Sequence, residues 1–98
     1  MSDDADAQDA LERIVNITNK KGLHARASAK FVQAVEGFEA DVTVTRGSET
    51  VGGTSIMGLM MLAAGPGTSI TIRARGKDAA EAMNAICALV NSRFGEDD

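Results

Sequence analysis

Two segments of this chain alternate strictly between apolar and polar residues, and they limit its possible folds more than any other feature. In Ala40-Asp41-Val42-Thr43-Val44-Thr45-Arg46, Val42 and Val44 fall on one side and Thr43 and Thr45 on the other. Ser69 to Arg75 sets Ile70, Ile72 and Ala74 against Thr71, Arg73 and Arg75. Successive side chains of a strand point to opposite faces, so both segments predict strands of a sheet with one buried face and one wet face. Leu11 to Thr18 is a third strand-like segment, rich in branched residues, with Leu11, Val15 and Ile17 on one face and the turn signal Asn19-Lys20-Lys21-Gly22 after it. Glu49-Thr50-Val51 is a short fourth, and Arg46-Gly47-Ser48 permits a tight reversal into it, which predicts an antiparallel hairpin.

Between these segments apolar residues recur with helical spacing. From Ala25 to Glu36 the residues Ala27, Phe31, Ala34 and Val35 share one stripe, with His24 at the N-cap and Gly37 as a stop. Gly52-Gly53 breaks the pattern, and Thr54 or Ser55 can cap a short apolar helix from Ile56 to Ala64 that Gly65-Pro66-Gly67 ends. Lys77 to Phe94 puts Ala79, Met83, Ile86 and Val90 on one helical face, with Ala82 and Leu89 beside it and Gly95 as a stop. The order β-α-β-β-α-β-α predicts an α+β open-faced sandwich, a four-stranded antiparallel sheet with three helices on one face. At 98 residues there is room for one domain. We expect it over residues 11–95, preceded by a disordered acidic tail over 1–10 and followed by a short acidic tail over 96–98.

Composition removes several classes of function. The chain is 44% apolar but 3% aromatic, so aliphatic side chains fill the core around Phe31, Phe38 and Phe94. A single cysteine, Cys87, allows no internal disulfide, and with one histidine in the chain there is no basis for a metal site; both point to a reducing, cytoplasmic setting. Cys87 itself is expected as a small buried hydrophobe. The N-terminus lacks the basic start and apolar stretch of a signal peptide, and no apolar run approaches the roughly 20 residues of a membrane helix, so no membrane is expected. A net charge of −4 opposes binding to nucleic acid. Gly65-Pro66-Gly67 lacks the basic and hydroxyl residues of a P-loop, so no nucleotide or other cofactor is implied.

The charge is unevenly spread. Asp3, Asp4, Asp6 and Asp9 crowd one end and Glu96, Asp97 and Asp98 the other, whereas Lys20, Lys21, Arg26 and Lys30 stand close in sequence to His24. A helix starting on this imidazole would aim its first free N–H groups, and the positive end of its dipole, at an anion carried or met by the ring. Phosphate is the obvious candidate. A hydrolase using His24 as general base would need a nucleophile and an orienting carboxylate, and the loop offers Ser28 and no acid.

Gly22-Leu23-His24-Ala25-Arg26 and Thr54-Ser55-Ile56-Met57-Gly58-Leu59-Met60 resemble the phosphoacceptor loop and the regulatory serine with second helix of HPr, the histidine-containing phosphocarrier family of the bacterial phosphotransferase system. The resemblance runs from about Leu11 to Phe94. It implies that His24 accepts a phosphoryl group on Nδ1 from a phosphohistidine of enzyme I and donates it to a histidine of a IIA-type protein, as a carrier rather than an enzyme. It implies that the Ala25 and Arg26 amides and the Arg26 guanidinium meet the phosphoryl oxygens, which is what such a transfer asks of a protein. It further implies that HPr kinase/phosphorylase modifies Ser55 and so blocks docking. The implied partner surface comprises Ile56, Met57 and Met60, with Lys20, Lys21, Ala27 and Lys30, on a monomer. Ala27 stands where many members have proline, which leaves open the carbohydrate or the nitrogen-related branch. The alternative within the same fold is a regulatory binding module switched by phosphorylation, without a role in sugar transport.

Overall fold

The computed structural model describes residues 10–96, so the expected N-terminal tail, Ala10 excepted, lies outside the described residues, as do Asp97 and Asp98. Along the chain run β1 (Leu11–Asn16), α1 (Ala25–Glu36), β2 (Asp41–Arg46), β3 (Glu49–Gly52), α2 (Ile56–Met61), β4 (Ser69–Arg75) and α3 (Ala79–Asn91), closed by a 3-10 turn at Arg93–Gly95. The strands form one antiparallel sheet in the order β1-β4-β2-β3. β4 therefore lies between β1 and β2, and β2 between β3 and β4. The helical connections β1-α1-β2 and β3-α2-β4 each bridge one intervening strand. Right-handed crossovers of this kind carry their helices to the same side of the sheet. This is the expected open-faced sandwich.

The alternating segments bury the expected side chains. Val44, Ile70, Ile72 and Ala74 are at most 1% exposed, and they meet Phe31 and Val35 of α1, Leu59 of α2, and Met83, Ile86 and Val90 of α3. The other sheet face is wet, where Thr45 Oγ1 and Thr50 Oγ1 pair at 2.8 Å and Glu12 meets Arg73 at 3.3 Å. Cys87 is buried and free. Ala27, expected among the partner-facing residues, is instead fully buried in the core, because its place on the α1 stripe turns it toward the sheet beside Phe31.

Several element ends differ from expectation. β1 stops at Asn16 rather than Thr18, because Ile17 turns its backbone to the loop before β4, donating to Thr68 O at 2.8 Å and accepting from Gly67 N at 2.8 Å. α2 stops at Met61 rather than Ala64: Ala63 adopts φ +53°, which frees the Leu62 carbonyl for the Arg46 guanidinium at 3.0 Å and the Ala64 carbonyl for Leu23 N–H at 3.0 Å. α3 spans Ala79 to Asn91 instead of Lys77 to Phe94. Phe94 keeps the helical spacing after Ile86 and Val90 and is fully buried, but the chain reaches that position through a reversal in which Arg93 and Phe94 both have φ +57° and Gly95 has φ +71°. Left-handed backbone costs a residue with a Cβ about 1–2 kcal/mol. Burying the Phe94 ring, worth about 1.5–3 kcal/mol, offsets much of it.

Candidate functional site

The loop that carries His24 is fixed before the helix begins. Asn19 is fully buried, and its Nδ2 donates to Gly22 O at 2.9 Å while Gly22 N–H returns to Asn19 O at 3.2 Å. Gly22 has φ +62° and lies so close to the turn after α2 that a Cβ there would come within 2.2 Å of Ala64 O, so glycine is required on both counts. Leu23 donates to that same carbonyl and buries its side chain. Ser28 Oγ closes back on Leu23 O at 3.2 Å, which spends its hydroxyl on the loop and removes it as a nucleophile.

His24 is the N-cap of α1. Its extended backbone (φ −76°, ψ −177°) leaves its carbonyl accepting from Ser28 N–H at 2.9 Å, and its ring Nδ1 accepts from Arg26 N–H at 3.2 Å. A ring nitrogen that accepts an amide hydrogen carries a lone pair, so the imidazole proton resides on Nε2. Nε2 stands 2.6 Å from Glu96 Oε2. The acidic residue assigned to a C-terminal tail is therefore a member of the site, delivered across 72 positions of sequence by the reversal at Arg93–Gly95. Its other oxygen, Oε1, accepts from Asn19 Nδ2 at 3.1 Å, and Lys30 Nζ ties down the turn by donating to Phe94 O at 2.6 Å. Burial pushes the Glu96 carboxyl upward, but the hydrogen bonds from Asn19 and His24, with the electrostatic attraction of the imidazole N–H and of the Lys30 charge, outweigh it and hold the group below the usual carboxylate range.

Nδ1 faces the N-terminal turn of α1, and His24 lines a depression of about 660 Å³ together with Lys20, Lys21, Ala25, Arg26, Lys30, Gly95 and Glu96. All the expected phosphate-side residues are thus together. A depression of similar volume lies against the sheet, lined by Asp41, Gly53, Thr54 and Arg75 among others, and contains none of the residues around His24. Ser55, Ile56, Met57 and Met60 belong to a separate region on α2. Ser55 Oγ caps that helix by accepting from Gly58 N–H at 2.9 Å, and Leu59 and Leu62 are buried in the core. Ile56, Met57, Met60 and Met61 stand out into solvent. α2 packs against α1, which brings the two regions side by side.

The family model for the PTS HPr component phosphorylation site, PTS-HPr, matches residues 11–92. The chain belongs to the PTS-HPr family. The phosphocarrier protein HPr of Neisseria meningitidis is 52% identical over 86 residues, covering 88% of this chain and 97% of that protein. The phosphocarrier protein NPr of Shewanella violacea is 45% identical, with 88% of this chain and 94% of that protein aligned. Among solved structures, an HPr of Thermoanaerobacter tengcongensis superposes with a TM-score of 0.86 at 39% identity, over 90% of this chain and 99% of that one. Within this HPr framework two residues escaped sequence reasoning. Asn19 was visible only as a turn former, and Glu96 gave no signal beyond following Gly95.

Proposed function

We propose that the chain is a phosphocarrier that accepts a phosphoryl group on Nδ1 of His24 from the phosphohistidine of enzyme I and passes it to a histidine of a IIA-type protein. The observation that supports this most is the division of labour on the ring: Nε2 is committed to Glu96, and the Nδ1 lone pair faces a helix N-terminus rimmed by cationic side chains. In the transfer the Nδ1 lone pair attacks phosphorus in line, and the P–N bond to the donor breaks with its electron pair returning to the donor imidazole. Arg26 N–H, which bonds Nδ1 in the free chain, is then released to a phosphoryl oxygen. Ala25 N–H and the Arg26 guanidinium are the neighbouring donors, and Lys20 and Lys21 add positive field. Association with enzyme I and the acceptor uses Ile56, Met57 and Met60, whose flexible side chains adapt to differently shaped partners.

The test is incubation with phosphoenolpyruvate and the organism's enzyme I, followed by intact-mass analysis of the wild type and His24→Ala. The expected result is one acid-labile, base-stable phosphate on the wild type and none on the variant. A folded wild-type protein that gains no phosphate overturns the proposal and leaves a regulatory binding module as the reading to pursue. Phosphorylation of Ser55 by HPr kinase/phosphorylase is a second element of the proposal: it would add about −1.5 to −2 charge beside the apolar face of α2 and so oppose docking. No mass shift at Ser55 with that kinase and ATP would remove it. We further propose that the carrier works as a monomer in the cytoplasm.

A further inference from the structure

We infer that Glu96 is a positioning residue for His24, whose carboxylate keeps one proton on Nε2 through the whole carrier cycle so that phosphoryl groups arrive and leave without any proton transfer. The inference rests on the proposed phosphocarrier role and extends it to a residue outside both recognition motifs. The contacts of the carboxylate and the backbone that delivers it both point to this role, and the direction of its pKa shift follows from those contacts.

The contact itself is short and its partners are committed. Oε2 lies 2.6 Å from Nε2, and Oε1 is held by Asn19 Nδ2, which is fully buried and simultaneously fixes Gly22 O in the histidine loop. One amide therefore sets the loop and the carboxylate relative to each other. The backbone that delivers Glu96 is strained, with left-handed conformations at Arg93, Phe94 and Gly95 in succession. Strain of this kind persists where surrounding structure over-determines it, and here the buried Phe94 ring and the Lys30 bond to Phe94 O do so. Finally, the carboxyl is held in its charged form, since its hydrogen bonds and the electrostatic attraction of the imidazole and of Lys30 outweigh its burial.

The chemistry follows from the electron count. When Nδ1 takes the phosphoryl group, its lone pair becomes the P–N bond and the ring, still protonated on Nε2, becomes a phosphoimidazolium. The adjacent carboxylate offsets that positive charge. On donation the P–N bond breaks and its electron pair returns to Nδ1, regenerating the neutral ring with the proton still on Nε2. Without Glu96 the phosphorylated ring can release the Nε2 proton to solvent. The leaving group would then be an imidazolide anion, a much poorer one, and donation would slow as pH rises. Among the described residues, the other charged groups lining the depression beside the ring are Lys20 and Lys21 from the loop and Arg26 and Lys30 from α1; all are cationic, so none of these can take over this role.

The experiment compares the wild type with Glu96→Ala and Glu96→Gln by ¹⁵N NMR of the imidazole and by the rate of phosphoryl donation to a IIA-type protein between pH 6 and pH 9. Gln matches Glu in shape but offers one acceptor where Asn19 and His24 both donate, so it separates shape from charge. In the wild type we expect the Nε2–H tautomer in the free protein and a donation rate that stays level across the range. In both variants the tautomers mix, and donation falls about tenfold at the alkaline end with little loss at pH 6. Variants that keep the wild-type tautomer and pH profile overturn the inference. A wild type that never accepts phosphate overturns the carrier role instead, and the tautomer measurement still reads what Glu96 does to the ring.

Discussion

Around His24 three separated parts of the chain converge through hydrogen bonds, whereas on α2 four large apolar side chains stand in water. His24 Nε2, Asn19 Nδ2, Gly22 O, Leu23 N and Lys30 Nζ are all committed, to partners as distant in sequence as Glu96. Ile56, Met57, Met60 and Met61 are 41–71% exposed, and the helix that carries them has six residues. On the proposed function the two regions answer two demands on one small domain. A nitrogen that attacks phosphorus must be aimed, and aiming needs a shell of fixed partners. A surface that meets several proteins must adapt, and unbranched thioethers do so. The regions share the turn after α2, since Ala64 O supports Leu23 while Leu62 O holds Arg46.

The contrast breaks most severely if the site loses its plug. Phe94→Ala removes a fully buried ring from the core and releases the left-handed reversal that rests on it. We expect a loss of about 3–5 kcal/mol in denaturant unfolding. The Nε2 contact with Glu96 should disappear with it. A loss below about 1 kcal/mol would mean that the reversal is held by something other than Phe94. Gly22→Ala comes next, since its Cβ would strike Ala64 O and its φ is left-handed. About 2–3 kcal/mol should be lost, with transfer to His24 failing as the loop lifts from the turn. Unchanged transfer would show that the loop tolerates displacement and is not aimed.

On the other side of the comparison, Met57→Lys should leave unfolding within about 0.5 kcal/mol of the wild type, because the side chain is 69% exposed. Its effect belongs to docking: KM for enzyme I should rise about tenfold with kcat little changed. Unaltered transfer kinetics would exclude Met57 from the docking surface. A stability loss as large as that of Gly22→Ala would mean that α2 is core rather than surface.

The same difference explains what the sequence disclosed. Strands, helices and the buried sides of both follow from spacing within a dozen residues, so Val42, Val44, Ile70 and Ile72 could be placed without coordinates, and the N-cap position of His24 could be too. The exposed face of α2 came instead from the family resemblance, which placed Ile56, Met57 and Met60 on a partner surface. Short-range signals failed where the chain doubles back. Ile86, Val90 and Phe94 keep one helical spacing, so helix seemed to continue to Phe94, and nothing in Arg93 or Phe94 announces left-handed backbone. The helix-forming residues Leu62, Ala63 and Ala64 hid the end of α2 in the same way. Ala27 was assigned to a partner surface with the family resemblance, although its own spacing in the α1 stripe already pointed inward. Glu96 was beyond reach for a simpler reason: its partner lies 72 residues away, and a carboxylate after a glycine reads as a solvated end.

The smallest effect tests the site through pH. The Glu96 carboxyl in the folded chain lies below its ordinary range: burial raises it, and the bonds from Asn19 and His24, with the attraction of the imidazole and of the Lys30 charge, more than reverse that. The unfolded chain then binds more protons than the folded one in the acidic window between the two values, so stability rises with pH across it. Glu96 contributes in full above the unfolded carboxylate range, and its contribution is lost as pH falls through the lower folded value. Glu96→Gln has no such group. Thermal unfolding of the two proteins should therefore differ at neutral pH and converge as the solution is acidified. A constant difference at every pH would mean that Glu96 acts by shape alone. A difference that grows on acidification would mean that the folded chain prefers the protonated carboxyl, contrary to the hydrogen bonds that converge on both of its oxygens.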